Sequence, residues 1–324
     1  MAASLGFQAF GVAAVAPPLH GKYYLEWIAG ERHGTMRWME RNNERRLAPD
    51  TFLPGVRSIV MLGMNCFQAY PDSAYKIARY ALGSDYHNYL FKRLKKLCAV
   101  MRDLGGEQRP CVDTAPVLEK PAAVQAGLGW QGKSTLLVNR EFGTWLLLGA
   151  IFTTLELEAD VPERDNCGHC TRCLAACPTG AITGPYQLDA RRCLAYLSIE
   201  HDGPIPVEFR GAMGDHLFGC DVCQDACPWS RRAQVSQEEK QRPLPLPERL
   251  RDTFAWTEAE YDLRFSGTPL KRLGLRRWWR NACVVLGNTG GMDDVPVLER
   301  LASGADALLA EHAAWALERI AEKG

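Results

Sequence analysis

Three things are missing from this 324-residue chain, and each absence narrows what it can do. Net charge is absent: 38 basic residues stand against 38 acidic ones. A polyanionic partner must therefore be met by local patches and not by the field of the whole molecule. Positive charge is missing from the start, because the first cation is Lys22. The apolar opening MAASLGFQAFGVAAVAPP thus lacks the basic head of a secretory signal, and it reads as a short helix end and a buried strand over Gly11–Ala16. No stretch approaches the roughly 20 uninterrupted apolar residues of a bilayer crossing. Together these absences predict a soluble, cytoplasmic protein.

Cysteine, by contrast, is plentiful, at twelve residues. In a small secreted chain that would signal disulfides. This chain, 47% hydrophobic, can bury a large core without them, and eight of the cysteines stand at cluster spacing, which suits a reducing compartment. Cys167 to Pro178 reads CGHCTRCLAACP, three thiolates for one iron–sulfur cube and a fourth, just before proline, for a neighbouring cube. Such a run requires a partner, and Cys193 followed by CDVCQDACP supplies it. By the cross-ligation rule of two-cluster ferredoxins, Cys167, Cys170, Cys173 and Cys227 hold one 4Fe-4S cluster, and Cys177, Cys193, Cys220 and Cys223 hold the other. Structural zinc prefers two CxxC pairs set well apart, and this run is too crowded for one ion. Cys66, Cys98, Cys111 and Cys283 are left over and are expected as small buried hydrophobes.

Before the cysteines, apolar runs alternate with amphipathic stretches. Ile59–Cys66 and Trp145–Leu157 read as buried strands. Between them, Tyr86–Gly106 places Leu90, Leu94, Leu97 and Met101 at helical spacing and ends in a glycine pair, a helix with its C-cap. The alternation predicts an α/β (α+β) core over residues 1–158. Residues 159–235 form the ferredoxin-like module, whose halves CLAACPTGA and CQDACPWS are a degenerate repeat. Residues 236–324 begin with a proline-rich linker wrapping the surface, Val235–Leu250, and end in helices resembling one HEAT-type repeat pair.

Two clusters in so large a chain imply electron delivery to another centre. GLGWQGKS, Gly127–Ser134, has the letters of a phosphate-binding loop, but a helix reads before it and strand, turn and strand after it. Its context therefore opposes nucleotide binding, and its glycines serve a tight turn or the approach of a large flat ligand. Asp113 or Thr114 in CVDTAPVLEKP reads as a helix cap, with Pro116 in the first turn and Glu119 near the start. Arg79, Tyr80, Asp85, Tyr86 and His87 crowd together in a way no amphipathic face explains.

The ordered set RYALGSDYH, VDTAPVLEKP, AGLGWQGKSTLLVNREFGTWLLLG, CGHCTRCLAACPTGAI, DARRCLAYL, GCDVCQDACPW and LRRWWRNACVVLGN resembles the epoxyqueuosine reductase family over nearly the whole chain. The resemblance implies an oxidoreductase that uses cobalamin and two 4Fe-4S clusters to reduce epoxyqueuosine to queuosine at the wobble position of tRNA. It also implies a core related to reductive dehalogenases, an external electron donor of the reductase, flavodoxin or ferredoxin type, and a monomer. By matching position it makes Asp113 the proton donor and Arg41, Leu137 and Leu148 corrin neighbours. A donor must be protonated near neutrality, so the Asp113 pKa is expected to be raised by burial. For the RNA, Arg264, Lys271, Arg272, Arg276, Arg277 and Arg280 cluster without a carboxylate around Trp278 and Trp279, of which Trp279 is expected in the core. Two other classes stay open: a small-molecule cobalamin reductase of the dehalogenase kind, and an electron-transfer subunit with an ATP site at Gly127–Ser134.

Overall fold

The computed structural model describes residues 1–323. Its eight strands are β1 (Ala9–Ala14), β2 (Ser58–Asn65), β3 (Lys76–Ile77), β4 (Gln108–Cys111), β5 (Trp130–Gln131), β6 (Leu137–Val138), β7 (Leu146–Thr153) and β8 (His216–Phe218). Four of them form one sheet in the order β1-β2-β7-β4, antiparallel at every pair. The core is therefore α+β, because periodicity reports which face a residue takes and not which way the next strand runs.

Both central strands are apolar except at their ends, Ser58, Asn65 and Thr153, because both faces of the sheet are covered. Leu62, Met64, Leu147 and Ile151 pack with Leu90, Leu94, Leu97 and Met101 of the helix Tyr86–Arg102. On the other face Ile59, Met61, Ala150 and Phe152 pack with Ala123 and Val124 of the helix Glu119–Gln125 and with Leu137. At the edge, β1 starts two residues earlier than expected, and it is only half buried, with Phe10 exposed.

The remaining chain is built around a different core. Tyr75, Ile77 and Leu82 join Leu194, Leu197, Leu217 and Phe218 of the cysteine region and Trp278, Val285, Ala313 and Ile320 of the C-terminal helices. Those helices span Leu275–Thr289, Val295–Ala302 and Ala307–Ala321. The linker is a strap fixed along its length: the Ser236 N–H donates to the Phe67 carbonyl and Gln241 Nε2 to the Tyr89 hydroxyl at 3.1 Å, while the Lys240 carbonyl accepts from Ser84. Cys66, Cys98, Cys111 and Cys283 are buried as expected. No helix among the described residues is long and apolar enough to cross a membrane.

Candidate active site and cluster module

The helix over residues 119–125 starts later than the sequence suggests. Leu118 is its N-cap and makes no side-chain cap bond, so Asp113 caps nothing. Asp113 instead sits at φ 52°, in the left-handed region, which short polar side chains tolerate better than others. Its N–H donates to Glu119 Oε1 at 2.8 Å. Its carboxylate lies 2.9 Å, Oδ2 to Nε2, from His87, whose Nδ1 lies 2.7 Å from Asp85 Oδ1. Asp85 also caps the helix that carries His87. Tyr86 stacks on the imidazole, with ring centroids 4.1 Å apart, and Tyr80 meets Tyr86 edge-on. Tyr80, Asp85, Tyr86 and His87 thus form one wall of a site whose other wall is Asp113, while Arg79 turns away to Asp221 and Asp225.

This carboxylate–imidazole–carboxylate chain opens into a cleft of about 530 Å³, closed on the far side by Glu200, Thr268, Lys271 and Arg272. Burial alone would lower the His87 pKa, but its hydrogen bonds to Asp113 and Asp85 overcome that and raise it to about 9. The same bond holds the Asp113 carboxyl below its ordinary value against the opposing effect of burial. This corrects the expectation of an acid raised by burial: the proton resides on His87, and Asp113 is its ionised partner. Glu119, behind them, is pushed by burial up to about 8.

The loop Gly127–Ser134 joins the hairpin β5–β6 and no helix follows it. Gly129, at φ 151°, has no room for a Cβ, which would meet the Val138 carbonyl oxygen at 2.1 Å. This glycine admits the chain's own backbone and not a ligand. Lys133 Nζ donates to the carbonyls of Gly168 and Cys170, tying the hairpin to the cysteine run.

All eight cluster-spaced cysteines are free and partly buried. Burial, then the neighbouring Cys167 and Cys227, raise the Cys173 thiol. Burial, then Cys193, Cys220 and Cys177, push Cys223 well above its usual value. The fold therefore gathers Cys167, Cys173 and Cys227 in one place and Cys177, Cys193, Cys220 and Cys223 in another. Among the described residues no three potential ligands lie close enough to share a single ion, whereas a cube spreads its thiolates over four corners. The donors suit cubes in a further respect: the Trp130 Nε1–H is buried without a partner and faces the Cys167 sulfur, and the Ala181 N–H lies 3.2 Å from the Cys177 sulfur. Lys120 is near enough to Cys223, Asp113 and Glu119 to feel the charge of each, which sets the second group beside the cleft.

Leu137 and Leu148 face the same side of the sheet as a narrow apolar groove floored by Ile59, Met61, Ala150 and Phe152. Arg41 is exposed and does not line the groove, whose rim carries Arg45 and Arg46 instead. Neither leucine lines the groove, which at about 20 Å³ has no room for a macrocycle.

The basic cluster is largely compensated from within. Arg280 is fully buried and donates to the carbonyls of Leu197, His201 and Gly203. Arg276 pairs with Asp306, and Arg277 with Asp202 and the Ile199 carbonyl. Trp278, not Trp279, is the fully buried tryptophan, and the Trp279 N–H donates to the Thr253 carbonyl. Of the set, only Lys271 and Arg272 line the cleft, and Arg272 is bonded to Glu200.

Two family profiles match, one described as "4Fe-4S double cluster binding domain" over residues 166–230 and one as "Epoxyqueuosine reductase QueG, DUF1730" over residues 46–114. The epoxyqueuosine reductase of Xanthomonas campestris is 41% identical, over 98% of this chain and 93% of the relative. The chain belongs to the epoxyqueuosine reductase family. The Escherichia coli epoxyqueuosine reductase is 40% identical over 98% of this chain and 87% of its own length. Among solved structures, epoxyqueuosine reductase from Streptococcus thermophilus superposes with a TM-score of 0.90 at 27% identity, covering 100% of this chain and 89% of that one. An epoxyqueuosine reductase solved with an epoxyqueuosine-modified tRNA-Tyr stem loop gives 0.89 at 29% identity, covering 98% and 88%. The protein is thus an oxidoreductase of the epoxyqueuosine reductase family with a double 4Fe-4S domain.

Proposed function

We propose that this protein reduces epoxyqueuosine to queuosine at the wobble position of tRNA. The observation that carries the reading is the Asp113–His87–Asp85 chain at the mouth of the cleft, in a chain whose relatives bear that activity in their names and of which one structural neighbour was solved with a modified tRNA stem loop. Converting the epoxide to the alkene breaks both carbon–oxygen bonds and releases the oxygen as water, so it consumes two electrons and two protons.

Cobalamin, held against the sheet core with Arg41, Leu137 and Leu148 as its neighbours by family position, would supply the reducing centre when bound. Cys167, Cys170, Cys173 and Cys227 would hold one 4Fe-4S cluster and Cys177, Cys193, Cys220 and Cys223 the other, and the two would supply a path for electrons from an external carrier. Asp113 is the proton donor to the departing oxygen, and His87 is the reservoir that reloads it, because at neutral pH the shared proton rests on the imidazole. Tyr80 and Tyr86 cover the pair and keep water from one side, and Lys271 and Arg272 face an anionic substrate. The reading takes the protein as a cytoplasmic monomer with a cobalamin-binding core over 1–158, a ferredoxin-like module over 159–235 and a linker with a HEAT-like end over 236–324.

Anaerobic protein reconstituted with iron, sulfide and cobalamin should convert epoxyqueuosine-tRNA to queuosine-tRNA. Asp113→Asn, with cofactors intact, should lose about 100-fold or more in single-turnover rate. Near-normal turnover by that variant would remove the donor role. A fully loaded wild-type enzyme that leaves the epoxide untouched would overturn the function.

A further inference from the structure

Asp113 is held at two points. Its carboxylate meets His87 and its N–H donates to Glu119 Oε1 at 2.8 Å. The rest of residues 112–118 is a loop between the last residue of β4 and the first of the next helix, and Asp113 and Thr114 are exposed on it. A left-handed non-glycine residue is disfavoured by roughly 1–2 kcal/mol, so such a loop relaxes unless something fixes it. Glu119 is placed to do so. It is the first residue of a helix packed on the sheet, and its side chain reaches back along the loop to the one backbone N–H that sets the direction of Asp113. The residue also lines the apolar groove on the far side of the loop.

We infer that Glu119 is a positioning residue, a latch that holds Asp113 in its left-handed, cleft-facing conformation against His87. It touches neither substrate nor proton, and its role in turnover rests on the proposed reduction. Its chemistry supports the assignment: burial lifts its carboxyl to about 8, so at neutral pH the group is mostly uncharged and still offers Oε1 as an acceptor. A neutral amide of the same shape should replace it. The titratable groups facing His87 are Asp85, Asp113 and the stacked Tyr86, with Arg272 across the cleft and Glu119 behind.

The test compares Glu119→Ala with Glu119→Gln in the reconstituted holoenzyme, reading single-turnover rate, affinity for a modified tRNA stem loop, and the His87 titration by imidazole nitrogen NMR. Glu119→Ala should slow turnover by about 10- to 100-fold with stem-loop affinity unchanged. Its His87 titration should fall from about 9 towards the ordinary 6.5 as Asp113 swings away. Glu119→Gln should keep both within about threefold of wild type. A His87 titration that stays at its wild-type value in Glu119→Ala overturns the latch, whatever the rate does, since a merely structural glutamate would lower stability and leave that pair alone. Should Glu119→Ala fail to fold, Glu119→Asp, one methylene too short to reach the N–H, is read in the same way. If wild type leaves epoxyqueuosine-tRNA unconverted, the function falls, and the titration still judges the latch.

Discussion

Asp113 and His87 form a pair whose proton lies on the less expected member. In isolation Asp113 reads as a cap or, by family position, as an acid raised by burial. Neither reading could see that His87, 26 residues earlier, would arrive within hydrogen-bond distance and reverse the direction of the shift. The crowding of Arg79, Tyr80, Asp85, Tyr86 and His87 was the legible signal, and Asp85 as the cap of the His87 helix was its local cause. Glu119 gave no signal, because a glutamate opening a helix is ordinary. Since the folded state raises His87 to about 9 from 6.5, it binds that proton more tightly than the unfolded chain does. The stabilisation is fully present below about 6.5 and is lost as pH rises through about 9. Thermal melts of wild type should therefore fall more steeply over this interval than those of His87→Gln, and parallel melts would count against the ionised pair.

At the level of elements, the strands, the long helix and the cysteine runs could be read because their determinants are local: an apolar run, a 3.6-residue period, a ligand spacing. Strand direction and ion-pair partners could not, because both depend on residues far away in sequence. The basic stretch 264–280 shows the difference. As a sequence it lacks carboxylates, and as a structure it draws Glu200, Asp202, Asp262 and Asp306 from elsewhere. Its helix presents Trp278 inward, stacked on Trp256 and edge-on to Tyr75 and Tyr261. Trp278→Ala should cost about 3–5 kcal/mol, seen as a lower denaturant midpoint, with the iron content of the surviving folded protein unchanged.

At the scale of the whole molecule, a neutral chain would meet a polyanion through local cations, and of the basic stretch only Lys271 and Arg272 border the cleft. Lys271 borders the cleft and is held only by a 3.8 Å contact to Asp262, whereas Arg276 is bonded to the carboxylate that caps the last helix. Lys271→Ala should therefore weaken stem-loop binding and reduce the slope of log affinity against log salt by about 1. Arg276→Ala should lower stability and leave that slope unchanged. Equal slopes for Lys271→Ala and wild type would place the RNA elsewhere.

The second hydrophobic core, which takes side chains from residues 75–82, from the cysteine region and from the final helices, has a genetic consequence. The iron–sulfur segment has no interior of its own to fold around. It cannot be excised as a portable electron carrier, and a frameshift near the 3′ end of the gene would remove side chains that enclose its second group of thiols. A late nonsense mutation should therefore yield a colourless protein and not an iron-loaded one that merely binds RNA poorly.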